Sequence, residues 1–319
     1  MNKRVYGVLG VSSIMSNWNA DFSGFPKTTS DGSIFGSDKA LKYPMKKMWE
    51  NEGEKVLYIK SLKITRDDKK NETNVNPRSL KERYEQLFDV EDLSKNKNKE
   101  EVLKNIFKAV DVKNFGATFA EAGNNISITG AVQIGQGFNK YIDSVSEEQQ
   151  ILSPFRDATK DKKNEDDEKE EAKNSTLGTK IFSKEAHYFY PFVINPLSYK
   201  EYVEMGVTDG YTEDDYSRFR KAALVAVTSY ATNAKAGCEN ELGVFIETKP
   251  DTYLPNLSEY VSFEKTEDKN VIKLGFDALV TELSDKIENI EIYYNPYMTV
   301  IEGNIEGAKL YNIFTQKEV

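Results

Sequence analysis

The stretch that most constrains this chain is Asp111–Asn139, DVKNFGATFAEAGNNISITGAVQIGQGFN. From Ile126 to Ile134, Ile126, Ile128, Gly130, Val132 and Ile134 alternate with small or polar residues, the period of two that a strand with one buried face requires. We therefore expect a central strand here. Gly116, Gly130, Gly135 and Gly137 leave parts of one face almost bare, and glycine weakens a strand unless another backbone or a ligand must come close. On this reading something lies across the sheet.

The 319 residues, 39% hydrophobic and 30% charged, can form a core while leaving much polar surface for loops or insertions. One large domain with insertions, or two domains, fit the length. No apolar run approaches the ~20 residues of a membrane span, and Met1-Asn2-Lys3-Arg4 leads into a strand rather than a signal-peptide core, so a cytoplasmic protein without membrane contact is expected. A lone Cys238 excludes an intramolecular disulfide and a cysteine zinc cluster, and a lone His187 excludes a histidine-rich metal site. Neither a metal nor a cofactor is expected. Net charge is -9, whereas nucleic-acid binders usually carry a basic field. The run Asp161–Glu171, DKKNEDDEKEE, concentrates seven acids and three lysines, so part of that excess belongs to one solvated loop.

Along the chain, Arg4–Met15 is apolar and β-branched enough for an interior strand, and Ser16–Gly36 is a long loop rich in Gly, Ser, Asp and Asn. Trp18 and Phe22 either anchor that loop or serve binding. Ser37–Asn51 reads as a helix capped by Ser37 or Asp38, with Leu41, Met45, Met48 and Trp49 on one face and Lys39, Lys42 and Lys46 as a stripe beside it. Such a stripe suits either a phosphate backbone or plain solvent. Pro44 either starts or kinks the regular helix.

Lys55–Thr65 is the next expected strand. Residues 66–109 form a charged insertion with helical stripes at Leu80, Tyr84, Leu87, Phe88 and at Val102, Leu103, Ile106, Phe107. Within Lys140–Ala186 two ordered limbs, ILSPFRDA and STLGTKIFSKEA, flank the acidic run as a flexible tip. His187–Pro196 is an aromatic strand whose Tyr188, Tyr190 and Phe192 share a face, for packing sooner than for base stacking. TEDD at Thr212–Asp215 opens a helix over Asp214–Ala234, a turn follows at Asn233–Gly237, and Glu241–Thr248 is a strand. Val271–Leu279, Glu288–Tyr294 and Met298–Ile301 are strand-like runs that extend or cover the sheet. The order strand, helix, strand, strand, helix, strand is that of a ferredoxin-like, RRM-like α+β domain.

DVKNFGATFA followed by ITGAVQIGQG resembles the signature segment of the Cas-seven family in its type I-B (Csh-two-like) form, the backbone subunit of the CRISPR surveillance complex Cascade. SDKALKYPMKKMW, HYFYPFVINP and SYATNAKAGCENELGVFIETK fit the same family in the same order. The resemblance covers roughly residues 4–250 and implies a crRNA-binding protein without chemistry of its own. It implies an RRM-like palm (1–65, 110–139 and 187–319), a helical finger insertion (66–109) and a β-hairpin thumb (140–186) with a disordered acidic tip. Asn17, Asn19 and Asp21 match an Asn-x-Asn-x-Asp loop core near the RNA, with Trp18 where proline is frequent. Lys42 and Lys46 match phosphate-binding lysines, and Lys39 shares their stripe. Gly130, Gln133 and Gln136 in the signature, Phe155, Arg156, Leu177, Thr179 and Lys180 in the thumb, and Asn233 and Lys235 in the turn complete the expected RNA contacts. Cys238 stands where glutamine is usual.

The partners so implied are crRNA, target DNA through guide pairing, further copies of the chain, and the small end-cap, large and processing subunits. The enzyme alternative is a metal-dependent RNA-cleaving backbone subunit of type III kind, using a loop aspartate among Asp21, Asp31 and Asp38. A generic single-stranded RNA module is a third class, and it would need no self-association.

Overall fold

The Arg4–Ser16 strand is buried on both faces: Val5, Val8, Leu9 and Val11 have no exposed surface. A strand covered on both faces belongs inside a sheet that has a layer on each side. In the computed structural model, which describes residues 1–67, 72–152 and 177–319, it runs antiparallel between Leu177–Ile194 and Cys238–Thr248. Outward from Cys238–Thr248 the sheet continues through Ile287–Tyr294 to Ala308–Asn312. On the other side the long Leu177–Ile194 strand carries three short partners in succession, Val132–Ile134, Gly137–Asn139 and Ser146–Leu152. Phe35–Gly36 closes that edge against Gly137–Asn139.

The expected central strand therefore lies at the periphery. Ile126–Thr129 pairs with Gly116–Phe119 in a separate two-stranded ribbon, and Val132–Ile134 is an edge strand of the main sheet. Gly130 breaks the run because its Cα meets other backbone: an added Cβ would fall 2.2 Å from the Phe115 carbonyl carbon and 2.4 Å from Gly116 N. At Gly137 an added Cβ would strike the Tyr190 ring at 2.3 Å. What lies across these two glycines is the chain's own backbone and its own aromatic ring.

One face of the main sheet is covered by helices. Helix Asp38–Asn51 is capped by Ser37, whose Oγ accepts from Ala40 N at 3.3 Å, and it buries Leu41, Met45 and Trp49 at four-residue spacing. It stays regular through the buried Pro44, so neither a late start nor a break occurs there. Helix Glu213–Ser229 packs beside it, opened by a reciprocal capping box between Thr212 and Asp215. This helix ends five residues before the expected Ala234. Gly237 must fit its Cα against Ile14, where a Cβ would lie 1.9 Å from the carbonyl oxygen, so the chain turns early to reach it. Tyr188, Tyr190 and Phe192 are buried on this face, as packing requires.

The opposite face carries the C-terminal strands Val261–Lys265, Asn270–Leu274 and Thr299–Glu302 over a second core of Tyr6, Val8, Phe189, Leu242, Val244 and Ile246. The end of the expected Val271–Leu279 run is instead a short helix, Asp277–Glu282. His187 is buried near this layer, stacked on Phe263 at 3.7 Å, with Nδ1 2.8 Å from Glu241. Burial works against its charged form, but Glu241 and Glu185 outweigh it and raise its pKa.

The insertion is mixed rather than all helical. Leu62–Asp67 and Glu72–Pro77 form a ribbon ahead of helices Leu80–Phe88, Lys99–Phe107 and Val110–Phe115. The expected strand at Lys55–Thr65 begins only at Leu62. Before it, Leu57 and Tyr58 donate their backbone N–H groups to the buried Asp111 carboxylate at 2.8 Å each, a side chain standing in for a neighbouring strand.

Candidate nucleic-acid interface

The Ser16–Gly36 loop is a folded arm. Bridges join Ala20 to Pro26 and Thr28 to Ile34. Three side chains at its base fix it to the long Leu177–Ile194 strand and to the start of helix Asp38–Asn51. Asn17 is buried, and its Nδ2 donates to Gly24 O within the arm at 2.8 Å and to Ile181 O in the long strand at 3.2 Å. Trp18 is buried too, with Nε1 donating to the Tyr190 hydroxyl at 2.5 Å, so its ring anchors the arm to the core. Asn19 Oδ1 accepts from Ser37 N at 2.8 Å and ties the arm to the start of helix Asp38–Asn51.

Lys235 closes the base from the turn after helix Glu213–Ser229. Its ammonium donates to Asn17 O at 2.6 Å and to Trp18 O, and it lies 5.2 Å from the Trp18 ring centroid. Burial lowers its pKa, since the ammonium leaves water for carbonyl partners. Asn233, two residues earlier, is exposed.

The lysine stripe divides in three. Lys39 is exposed and has no ion-pair partner among the described residues. Lys42 bonds Asp38 at 2.8 Å and sits 5.1 Å from the Phe115 ring centroid. Lys46 reaches Tyr58 O at 3.3 Å and Asp111 at 3.7 Å, and burial lowers its pKa against the pull of Asp111. Its charge is already matched inside the protein.

Two groups of expected contacts thus lie along one helix, one at its start and one beside its middle turns. Asn17, Trp18, Asn19 and Lys235 meet at the arm, and the exposed Thr179 and half-buried Lys180 adjoin Ile181, to which Asn17 is bonded. Lys42, Lys46 and Gly130 meet around Phe115, with Lys39 one turn back toward the arm. Gln133 is remote from the arm and adjoins the second group through Gly130: it is paired with Val193, twelve residues along the strand from Ile181, or roughly 40 Å at the rise of a β-strand. Its Nε2 donates to Gly130 O at 2.8 Å, while Gln136 is exposed at the same edge. Leu177 lies in the strand opposite Leu152. Phe155, Arg156 and the acidic run Asp161–Glu171 lie outside the described residues.

The three loop aspartates are engaged in holding backbone. Asp21 Oδ1 accepts from Ser23 N, Ser23 Oγ and Phe25 N at 2.8, 2.8 and 3.0 Å, with its pKa lowered first by the Ser23 hydroxyl. Asp31 accepts from Thr29 Oγ1 and from Ser33 N at 3.3 Å, and Asp38 pairs with Lys42. Among the described residues, no three His, Cys, Asp or Glu side chains gather as metal ligands.

Sequence reasoning missed Asp111, which organises Lys46 and the Leu57–Tyr58 backbone from more than 50 residues away. It also left Phe22 as a possible anchor. Phe22 anchors nothing: its relative exposure is 113%.

Two of the solved chains that match this one illustrate the likeness. One belongs to a CRISPR RNA-guided surveillance complex, pre-nicking, with a TM-score of 0.55 and 15% identity over 98% of this chain and 96% of that one. The other, from a CRISPR RNA-guided surveillance complex, has a TM-score of 0.50 and 12% identity over 95% and 94%. At these identities the likeness is one of fold. No curated protein matches the sequence. The family model described as CRISPR-associated protein Cas7 matches residues 3–281, most of the chain, and the protein belongs to that family.

Proposed function

We propose that this protein is a non-catalytic crRNA-binding backbone subunit of a type I surveillance complex, of type I-B form, acting in the cytoplasm. The observation that carries this reading is the junction of the Ser16–Gly36 arm, the helix bearing Lys39 and Lys42, and the Asn233–Lys235 turn, locked by Lys235 on the Asn17 and Trp18 carbonyls. It puts cations and polar backbone along one helix. Such a surface follows a phosphate backbone whatever the sequence.

In this reading the strand order 238–248, 4–16, 177–194 and the 132–139 edge, with helices 38–51 and 213–229 on one face, is the ferredoxin-like palm. Residues 66–109 lie in the finger, and the Ser146–Leu152 and Leu177–Ser183 limbs are the root of the thumb. Copies array along one guide, which pairs with target DNA and leaves sequence recognition to base pairing. The engagement of Asp21, Asp31 and Asp38 in local structure supports a backbone role over RNA cleavage.

The test is to express the protein together with the proteins encoded beside it, purify the assembly and sequence its RNA. One class of guide of defined length, sharing repeat-derived ends, is expected. Random cellular RNA, or none, would overturn the proposal.

A further inference from the structure

We infer that Phe22 is a nucleobase-stacking platform for the bound single strand. The inference rests on the RNA-binding reading above and assigns one ring of that surface a specific task.

The tip of the arm is built to hold this ring out. Asp21 spends one carboxylate oxygen on the Ser23 and Phe25 N–H groups and the Ser23 hydroxyl, and Asp21 N donates to Phe25 O at 2.7 Å. Gly24 adopts φ +91, which lets the turn close. Asn17 then joins Gly24 O to Ile181 O, fixing the tip to the long strand beside Thr179 and Lys180. Asp21, Ser23, Gly24 and Phe25 around the ring are thus held by hydrogen bonds, while the ring itself is fully exposed.

A lone exposed apolar side chain needs no explanation. Phe22 differs because its backbone is fixed by hydrogen bonds, on an arm that Asn19 joins to the start of the helix bearing Lys39 and that Asn17 joins to the long strand. A rigid aromatic beside a phosphate-following groove is the combination that binds single strands with little regard to sequence, since every base offers a π-face. Pre-ordering the turn reduces the entropy lost when a base settles on it. The occupant is therefore a base of the single strand, and burial against a second copy of the chain is the alternative.

The test uses the full chain and a single-stranded oligoribonucleotide carrying a fluorescent purine analogue, with Phe22→Ala, Phe22→Trp and Phe22→Leu beside wild type. Stacking predicts that Phe22→Ala weakens RNA affinity about 5- to 150-fold. The slope against salt stays unchanged because no phosphate contact is lost. Phe22→Trp restores affinity and analogue quenching, whereas Phe22→Leu does not. Thermal melts of all variants should coincide with wild type, since the ring is packed on nothing. Restoration by Phe22→Leu as fully as by Phe22→Trp would assign the ring to contact between copies and overturn the inference. Wild-type affinity in Phe22→Ala would overturn it alone, leaving the RNA-binding reading standing. Failure of wild type to bind RNA would overturn both.

Discussion

A lysine free to meet a ligand and a lysine that holds a loop in place look alike in sequence, and here the structure separates them. Lys39 points to solvent, while Lys235 is half-buried on two backbone carbonyls. Lys39→Ala should leave stability within about 0.5 kcal/mol, as exposed substitutions do. It should also reduce the slope of log affinity against log salt by roughly 0.7, the share of one phosphate contact on a single strand. Lys235→Met should cost about 1–3 kcal/mol by removing charge-assisted hydrogen bonds to buried acceptors. It should lower RNA affinity through a loosened arm. Chemical denaturation and salt titration on both variants check this; equal stability losses, or equal slope changes, would contradict the separation. Lys46 belongs with Lys235 in kind, since Asp111 already balances its charge. Nothing in the spacing of Lys39, Lys42 and Lys46 distinguishes them, because the partner that does so lies in another element.

Between elements, the glycines of the Asp111–Asn139 stretch show how a correct local inference can be attached to the wrong neighbour. The absence of side chains was legible and so was its meaning, a close approach; what approaches at Gly130 is the Asn114–Gly116 backbone. Gly130→Ala should therefore destabilise the fold by about 3 kcal/mol, the upper part of the usual range for overpacking. Gly178→Ala, whose new methyl would meet only Ile151 at 3.8 Å, should be near neutral. Urea unfolding of the two variants decides this. If Gly130→Ala keeps wild-type stability but loses RNA binding, the glycine serves a ligand after all. The helices were legible because caps and period are local: Ser37, Thr212 and the Leu41, Met45, Trp49 spacing mark them. Strand position was not, because a period of two reports a buried face and says nothing about how many strands lie beyond it. The Arg4–Ser16 strand, buried on both faces, is apolar without clean alternation, and that continuity is the mark of the centre. At the site, polar loop residues stood out in sequence, but the bonds among Asn17, Ile181 and Lys235 join positions more than 50 residues apart and carry no local signature.

For the whole molecule, a net charge of -9 must be reconciled with binding a polyanion. The acidic run Asp161–Glu171 concentrates part of the excess in one segment. Around the arm, Asp21 and Asp38 are matched by local donors, leaving Lys39 exposed. Local charge then governs contact with the strand, since fields between exposed charges fade within about 8 Å at physiological salt. In the proposed backbone role this surface repeats along one RNA, each copy covering a fixed length. The most direct measurement is the mass of assemblies formed by the full chain on single-stranded RNAs of increasing length, by native mass spectrometry or sedimentation. The number of copies should rise in even steps with RNA length and stay independent of base sequence. A single copy per RNA at every length would contradict it.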